Sequence, residues 1–120
     1  MASIQSFADR KTVHLTTTGR KSGRQSSIEV WFVVEGASVL VQAGLKGQKG
    51  WYANVRTNPQ VQLAFDGVAF DGVAQALTGQ AEAERVAAIF RRKYWVARVA
   101  RWFGSQIGRG KPVRIELTAG

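Results

Sequence analysis

Cysteine is absent from the 120 residues, which excludes disulfides, thiolate chemistry and cysteine-based metal sites, and means that folding needs no oxidising compartment. Histidine occurs once, as His14. One imidazole cannot furnish a zinc site, and His14 lies in a strand-like stretch with no local carboxylate partner, so it reads as structural rather than catalytic. Acids are scarce too, eight Asp and Glu against seventeen Lys and Arg. They are scattered without ligand spacing, which leaves no candidate metal site and no carboxylate pair for acid–base work; Asp66 and Asp71 are explained as turn residues. No apolar run approaches the length needed to span a bilayer, and the N-terminus has neither the basic nor the apolar region of a signal peptide, so a cytoplasmic protein is expected.

What is present describes a globular chain. Hydrophobic residues make up 45% and charged residues 21%, with no low-complexity tail or charge block that would argue for disorder. The length fits one domain over residues 1–120, with one core. The formal charge of +9 should draw anionic partners. Nucleic acid, an acidic membrane surface and a phosphorylated cofactor with a carboxylate tail all qualify.

Period-two alternation marks the strands. Val13, Leu15 and Thr17 alternate with His14, Thr16 and Thr18, and Ile28, Val30, Phe32 and Val34 alternate with Glu29, Trp31 and Val33. A tight turn at Glu35-Gly36 leads into a third strand at 39–43, a hairpin partner of the second. Residues 51–58 form a short helix that must stop before Pro59. Two further strands, 60–65 and 68–77, flank an Asp66-Gly67 turn, and the repeated Phe-Asp-Gly-Val-Ala at 65–74 predicts a bulge at Gly72. Over 80–103 the period becomes helical, with Val86, Ile89, Phe90, Ala97, Ala100 and Phe103 on the apolar face and Gly104 as a stop. Residues 113–117 alternate as a last strand. The order predicts a mainly β protein with one long helix, an antiparallel sheet of about six strands closed into a small barrel. The first strand starts near residue 11, with no helix before it.

Two glycine-rich cationic stretches interrupt this pattern. In Leu15-Thr16-Thr17-Thr18-Gly19-Arg20-Lys21-Ser22-Gly23-Arg24 a β-favouring run stops in a glycine-bracketed loop with three cations, a combination that turns amide N–H groups and charged heads toward one anion. Its glycine spacing and the place of its lysine are not those of a Walker loop, and a solvated hairpin tip is the competing account. The second stretch, Gly44-Leu45-Lys46-Gly47-Gln48-Lys49-Gly50, runs directly into Trp51 and Tyr52. Cations beside flat rings suit an anionic aromatic ligand.

The run 15–24, the hairpin 28–36 and above all Trp51-Tyr52-x-Asn54-x-x-x-Asn58-Pro59-x-Val61 resemble the deazaflavin-dependent nitroreductase family. That family belongs to the split-barrel flavin and deazaflavin oxidoreductases, relatives of pyridoxamine phosphate oxidase. The resemblance covers 12–65 well and returns in 112–117. It implies an FMN-binding split-barrel type of fold, reduced coenzyme F-420 (a 5-deazaflavin with a phosphate and an oligoglutamate tail) as cofactor, and hydride delivery to a quinone, nitroaromatic or similar small-molecule electron acceptor. It implies that Lys21 and Arg24, with the amides of Ser22 and Gly23, hold the phosphate, and that Lys46 and Lys49 engage phosphate or tail carboxylates. Ala43 and Gly44 would let the backbone approach the deazaflavin edge, Trp51 would wall the ring pocket, and Tyr52 with Asn54 would fix the loop or line the acceptor side. Proton delivery falls to Tyr52, to Tyr94 as counterpart of a family tyrosine, or to water. No metal is implied, and a homodimer is expected.

Two alternatives stand beside this. The same barrel could bind FMN, as related split-barrel enzymes do. Or the arginines of the long helix, Arg85, Arg91, Arg92, Arg98 and Arg101, with Lys93, Trp95 and Trp102, could make a non-enzymatic module for nucleic acid or a membrane surface.

Overall fold

A computed structural model describes residues 3–43, 49–94 and 111–118. Six strands, β1 (Thr12–Thr18), β2 (Gln25–Glu35), β3 (Ser38–Ala43), β4 (Gln60–Phe65), β5 (Val68–Ala76) and β6 (Lys111–Leu117), are joined by two helices, α1 (Lys49–Thr57) and α2 (Gln80–Tyr94). The strands close in the order β1-β2-β3-β6-β5-β4, every pair antiparallel. The expected mainly β barrel of six strands is thus the fold. The long helix is described as far as Tyr94; the rest of the stretch predicted to run to residue 103, including Ala97, Ala100 and Phe103, lies outside the described residues.

Closure follows from the alternation. Val13 and Leu15 of β1, Val30 and Phe32 of β2, Val39, Val41 and Ala43 of β3, Val61, Leu63 and Phe65 of β4, and Val113 and Ile115 of β6 all point inward and are buried, because a barrel this narrow is filled by side chains rather than left as a channel. The outward set splits. Leu40 packs with Val86, Phe90 and Tyr94 of α2, residues spaced by one helical turn, and Trp31 and Val33 join them. Arg85 fastens the helix further, reaching Glu82 at 3.0 Å and Glu35 of β2 at 2.7 Å.

The turns follow their chemistry. Asp66 and Gly67 both take positive φ, 43° and 87°, the geometry of a two-residue hairpin whose twist matches the strands. Gly72 differs from the predicted bulge: the pairing of β5 runs unbroken from Gln60↔Val73 to Phe65↔Val68 on one side and from Gly72↔Leu117 to Ala76↔Val113 on the other. Glycine stands there because a Cβ would meet Cγ2 of Ile115 at 2.6 Å. The N-terminus also holds more than the sequence reading assigned. A single 3-10 turn, Ile4–Phe7, buries Ile4 and Phe7, with Phe7 stacked on Phe65 at 4.6 Å, which plugs the barrel end where β1 begins and β4 finishes. Among the described residues no helix is long and apolar enough to cross a membrane, and no group of acidic or imidazole side chains could hold a metal ion.

Candidate functional site

The opposite end of the barrel gathers the β1–β2 loop, the last residue of β3, the first of β6, and α1. The loop is a tight turn: the N–H of Gly19 donates to Arg24 O (2.7 Å), and that of Gly23 to Gly19 O (3.0 Å). Gly23 takes φ 73°, a left-handed angle that strains other residues. Its amide is therefore spent inside the turn, whereas the amide of Ser22 has no acceptor among the described residues; the Ser22 hydroxyl accepts from Arg24 N–H at 3.1 Å. Lys21 and Arg24 stand exposed at the tip.

Two asparagines one turn apart, Asn54 on α1 and Asn58 just past its end, hold this loop. Asn54 Oδ1 accepts from the backbone N–H of Arg20 at 3.1 Å and from its guanidinium at 2.9 Å. Asn58 Nδ2 lies within hydrogen-bond reach of the carbonyls of Thr18 and Gly19, at 3.4 and 3.3 Å. The two sequence motifs are thereby one physical unit, and Asn54 fixes the loop by consuming Arg20.

Trp51 points into the core and is only 5% exposed, and its indole N–H is buried without a partner among the described residues. Tyr52, half-buried, meets the Trp51 ring edge-on at 6.4 Å. Two cations flank Tyr52: the Arg56 guanidinium lies 5.8 Å and the Lys111 ammonium 5.1 Å from its ring centroid. Lys111 arrives there because β6 pairs with β3 so that Ala43 faces Lys111. Ala43 is buried; Lys49 opens α1; Gly44 and Lys46 lie outside the described residues. Sequence reasoning missed Arg56 and Lys111. Arg56 was within reach, being four residues beyond Tyr52 on one helix face, but nothing local marks Lys111, whose place follows from the closure of the barrel.

The structure does not bring Tyr94 to this end. Its hydroxyl accepts from Phe32 N–H at 3.0 Å and donates toward the carbonyls of Lys11 (2.8 Å) and Phe32 (2.9 Å). Lys11 precedes β1 and the loop follows it, a separation of about 20 Å at the usual rise per strand residue. Burial pushes the phenol of Tyr94 well above its ordinary range, which keeps it neutral and fixed. The neighbouring Lys93 donates to Phe32 O at 2.8 Å, and desolvation lowers its ammonium to about 8 against the opposing pull of Asp9.

Charge is segregated between these regions. None of the eight acids lies in the β1–β2 loop, the end of β3, α1 or the start of β6. Glu35 and Glu82 meet Arg85, Glu116 approaches Arg114, and Asp66 pairs with Arg10. Lys21, Arg24, Arg56 and Lys111 form no ion pair among the described residues.

A closed antiparallel barrel with an unpaired cationic rim, aromatic rings and a capping helix at one end defines a cofactor-binding split barrel. Residues 3–117 match the family model described as F420H(2)-dependent quinone reductase, and the chain belongs to that family. It is therefore an oxidoreductase whose cofactor is coenzyme F-420, the first of the two cofactors weighed from the sequence. Among solved structures it is similar to an F420-H2 dependent reductase (FDR-A), with TM-score 0.67 and 26% identity over 89% of this chain and 95% of that one. A second neighbour, solved as a domain-swapped dimer, has TM-score 0.58 and 26% identity over 92% of this chain and 81% of that one. The fold is shared with a putative pyridoxamine 5'-phosphate oxidase from Listeria innocua, TM-score 0.65 and 18% identity over 97% of this chain and 91% of that one. The residues present fit the cofactor: unpaired cations for phosphate and carboxylates, and an unmatched indole donor beside them.

Proposed function

We propose that this chain uses the reduced cofactor to pass a hydride to a small quinone, with nitroaromatics as further acceptors, at the barrel end built by the β1–β2 loop and α1. The observation that carries this is the segregation of charge: a rim of Lys21, Arg24, Arg56 and Lys111 with no acid in the β1–β2 loop, in α1 or at the start of β6. Lys21 and Arg24, with the amide of Ser22, hold the phosphate, and Asn54 and Asn58 keep their loop in place. Lys46, Lys49 and Lys111 would engage the tail carboxylates. Gly23 supplies the turn angle, and Ala43 with Gly44 offers backbone to the ring.

When bound, the cofactor would supply the hydride. The protein's part is placement: Trp51 and Tyr52 wall the ring, and the acceptor sits on the Tyr52 side, where Arg56 and Lys111 favour negative charge arriving on an acceptor oxygen. The proton comes from Tyr52 or water, Tyr94 being held at the far end of β1. A homodimer is the assembly we expect, supported by the neighbour solved as a domain-swapped dimer; sedimentation showing a monomer at micromolar concentration contradicts it.

The test is anaerobic mixing of the protein with reduced F-420 and a simple p-quinone, following the return of the oxidised cofactor's absorbance. Oxidation faster than in a protein-free control supports the assignment. A rate equal to the control with quinone and nitroaromatic alike removes it.

A further inference from the structure

Trp51 is almost wholly buried, yet its indole nitrogen has neither solvent nor an acceptor among the described residues. A buried donor left so is unusual, since buried N–H groups are nearly always matched. It sits on α1, beside Tyr52 with its two cations and three residues before the Asn54 that fixes the phosphate loop.

We infer that the Trp51 indole N–H is the hydrogen-bond donor that orients the bound cofactor by taking a neutral carbonyl oxygen of its ring system. This rests on the cofactor reading above and adds to it the atom that sets the ring's rotation. Burial decides the kind of acceptor. Trp51 belongs to the apolar cluster with Val13, Ala43 and Val55, where an anionic oxygen would lose its water and gain one neutral dipole. The exposed cations of the rim offer a phosphate or carboxylate far more. The charged parts of the ligand therefore stay at the rim, and a carbonyl goes to the indole. A carbonyl oxygen seated there gives the indole N–H the acceptor it lacks among the described residues.

The experiment uses the full chain, labelled with nitrogen-15, whose four tryptophans give indole cross-peaks in a proton–nitrogen correlation spectrum. The Trp51 peak is identified by its loss in Trp51→Phe, which keeps an aromatic ring and removes the N–H. Should that variant fail to fold, Trp31→Phe, Trp95→Phe and Trp102→Phe assign the peak by elimination. The protein is titrated with F-420, with the deazaflavin chromophore lacking phosphate and tail, and with inorganic phosphate, while cofactor fluorescence independently reports binding. The Trp51 proton is expected to move downfield with F-420 and with the chromophore and to stay in place with phosphate. Trp51→Phe is expected to bind F-420 roughly tenfold more weakly. Fluorescence-detected binding of F-420 with an unmoved Trp51 peak overturns the inference, as does a peak that moves with phosphate alone. Absence of F-420 binding by fluorescence overturns the cofactor reading and this inference together, and the fluorescence record distinguishes that failure from the others.

Discussion

Tyr94 and Lys93 put two titrating groups against one stretch of β2. The Tyr94 hydroxyl answers a backbone N–H and two carbonyls, and its ring stacks on Trp31 at 4.1 Å. Tyr94→Phe keeps the ring and strands the Phe32 N–H and the Lys11 carbonyl, so urea denaturation should show a loss of about 1–3 kcal/mol, while hydride transfer per folded molecule stays unchanged. Lys93 predicts a pH signature. Its ammonium titrates near 8 when folded and near 10.5 otherwise, so between those values the unfolded chain binds more protons and stability rises with pH. The Tyr94 phenol is raised by folding, so above about pH 10 the folded chain holds the extra proton and stability falls again. Chemical denaturation from pH 7 to 11 should show that rise and fall. Lys93→Met should flatten the rising limb; a limb as steep as the parent's would remove Lys93 as its source.

At the scale of elements, the loop and α1 work as a clamp. Asn54→Ala frees Arg20 and one side of the turn without touching the core, so F-420 affinity should fall about 5- to 20-fold, the net worth of one or two ordinary hydrogen bonds, with little change in melting temperature. A parent-like dissociation constant would show that the loop is preformed without α1. Gly72→Ala belongs to the same scale: its Cβ would press on Ile115 and on the carbonyl of Glu116, and overpacking of this kind costs about 1–3 kcal/mol, measurable by thermal unfolding. The strands were readable because each has one face in the core, which imposes period two, and the loop and the Trp51 to Asn58 motif were readable because their chemistry lies in consecutive residues. Gly72 was misread because a close approach by Ile115 comes from another strand. The placements of Lys111 and Tyr94 were hidden for a related reason, each being set by a partner far away in the chain. Ile4 and Phe7 carry too short an apolar pattern to announce a plug.

Over the whole molecule, the +9 charge is less informative than its distribution. Among the described residues Arg10, Arg85 and Arg114 are answered by acids, whereas the rim around Tyr52 and the loop is left unanswered, as are the exposed Arg91 and Arg92 of α2. A field of one sign concentrated at one end attracts a polyanionic ligand and orients it before contact, and exposed cations of this kind are screened by salt. The measurement that tests this most directly is a fluorescence titration of the protein with F-420 at low and high ionic strength, repeated with Lys21→Ala and Lys111→Ala. The account predicts binding that weakens as salt rises, and a further loss of about 10- to 100-fold in each variant, the range expected for charge-assisted hydrogen bonds. Dissociation constants indifferent to salt and to both substitutions would contradict it, and would place the cofactor away from the cationic end of the barrel.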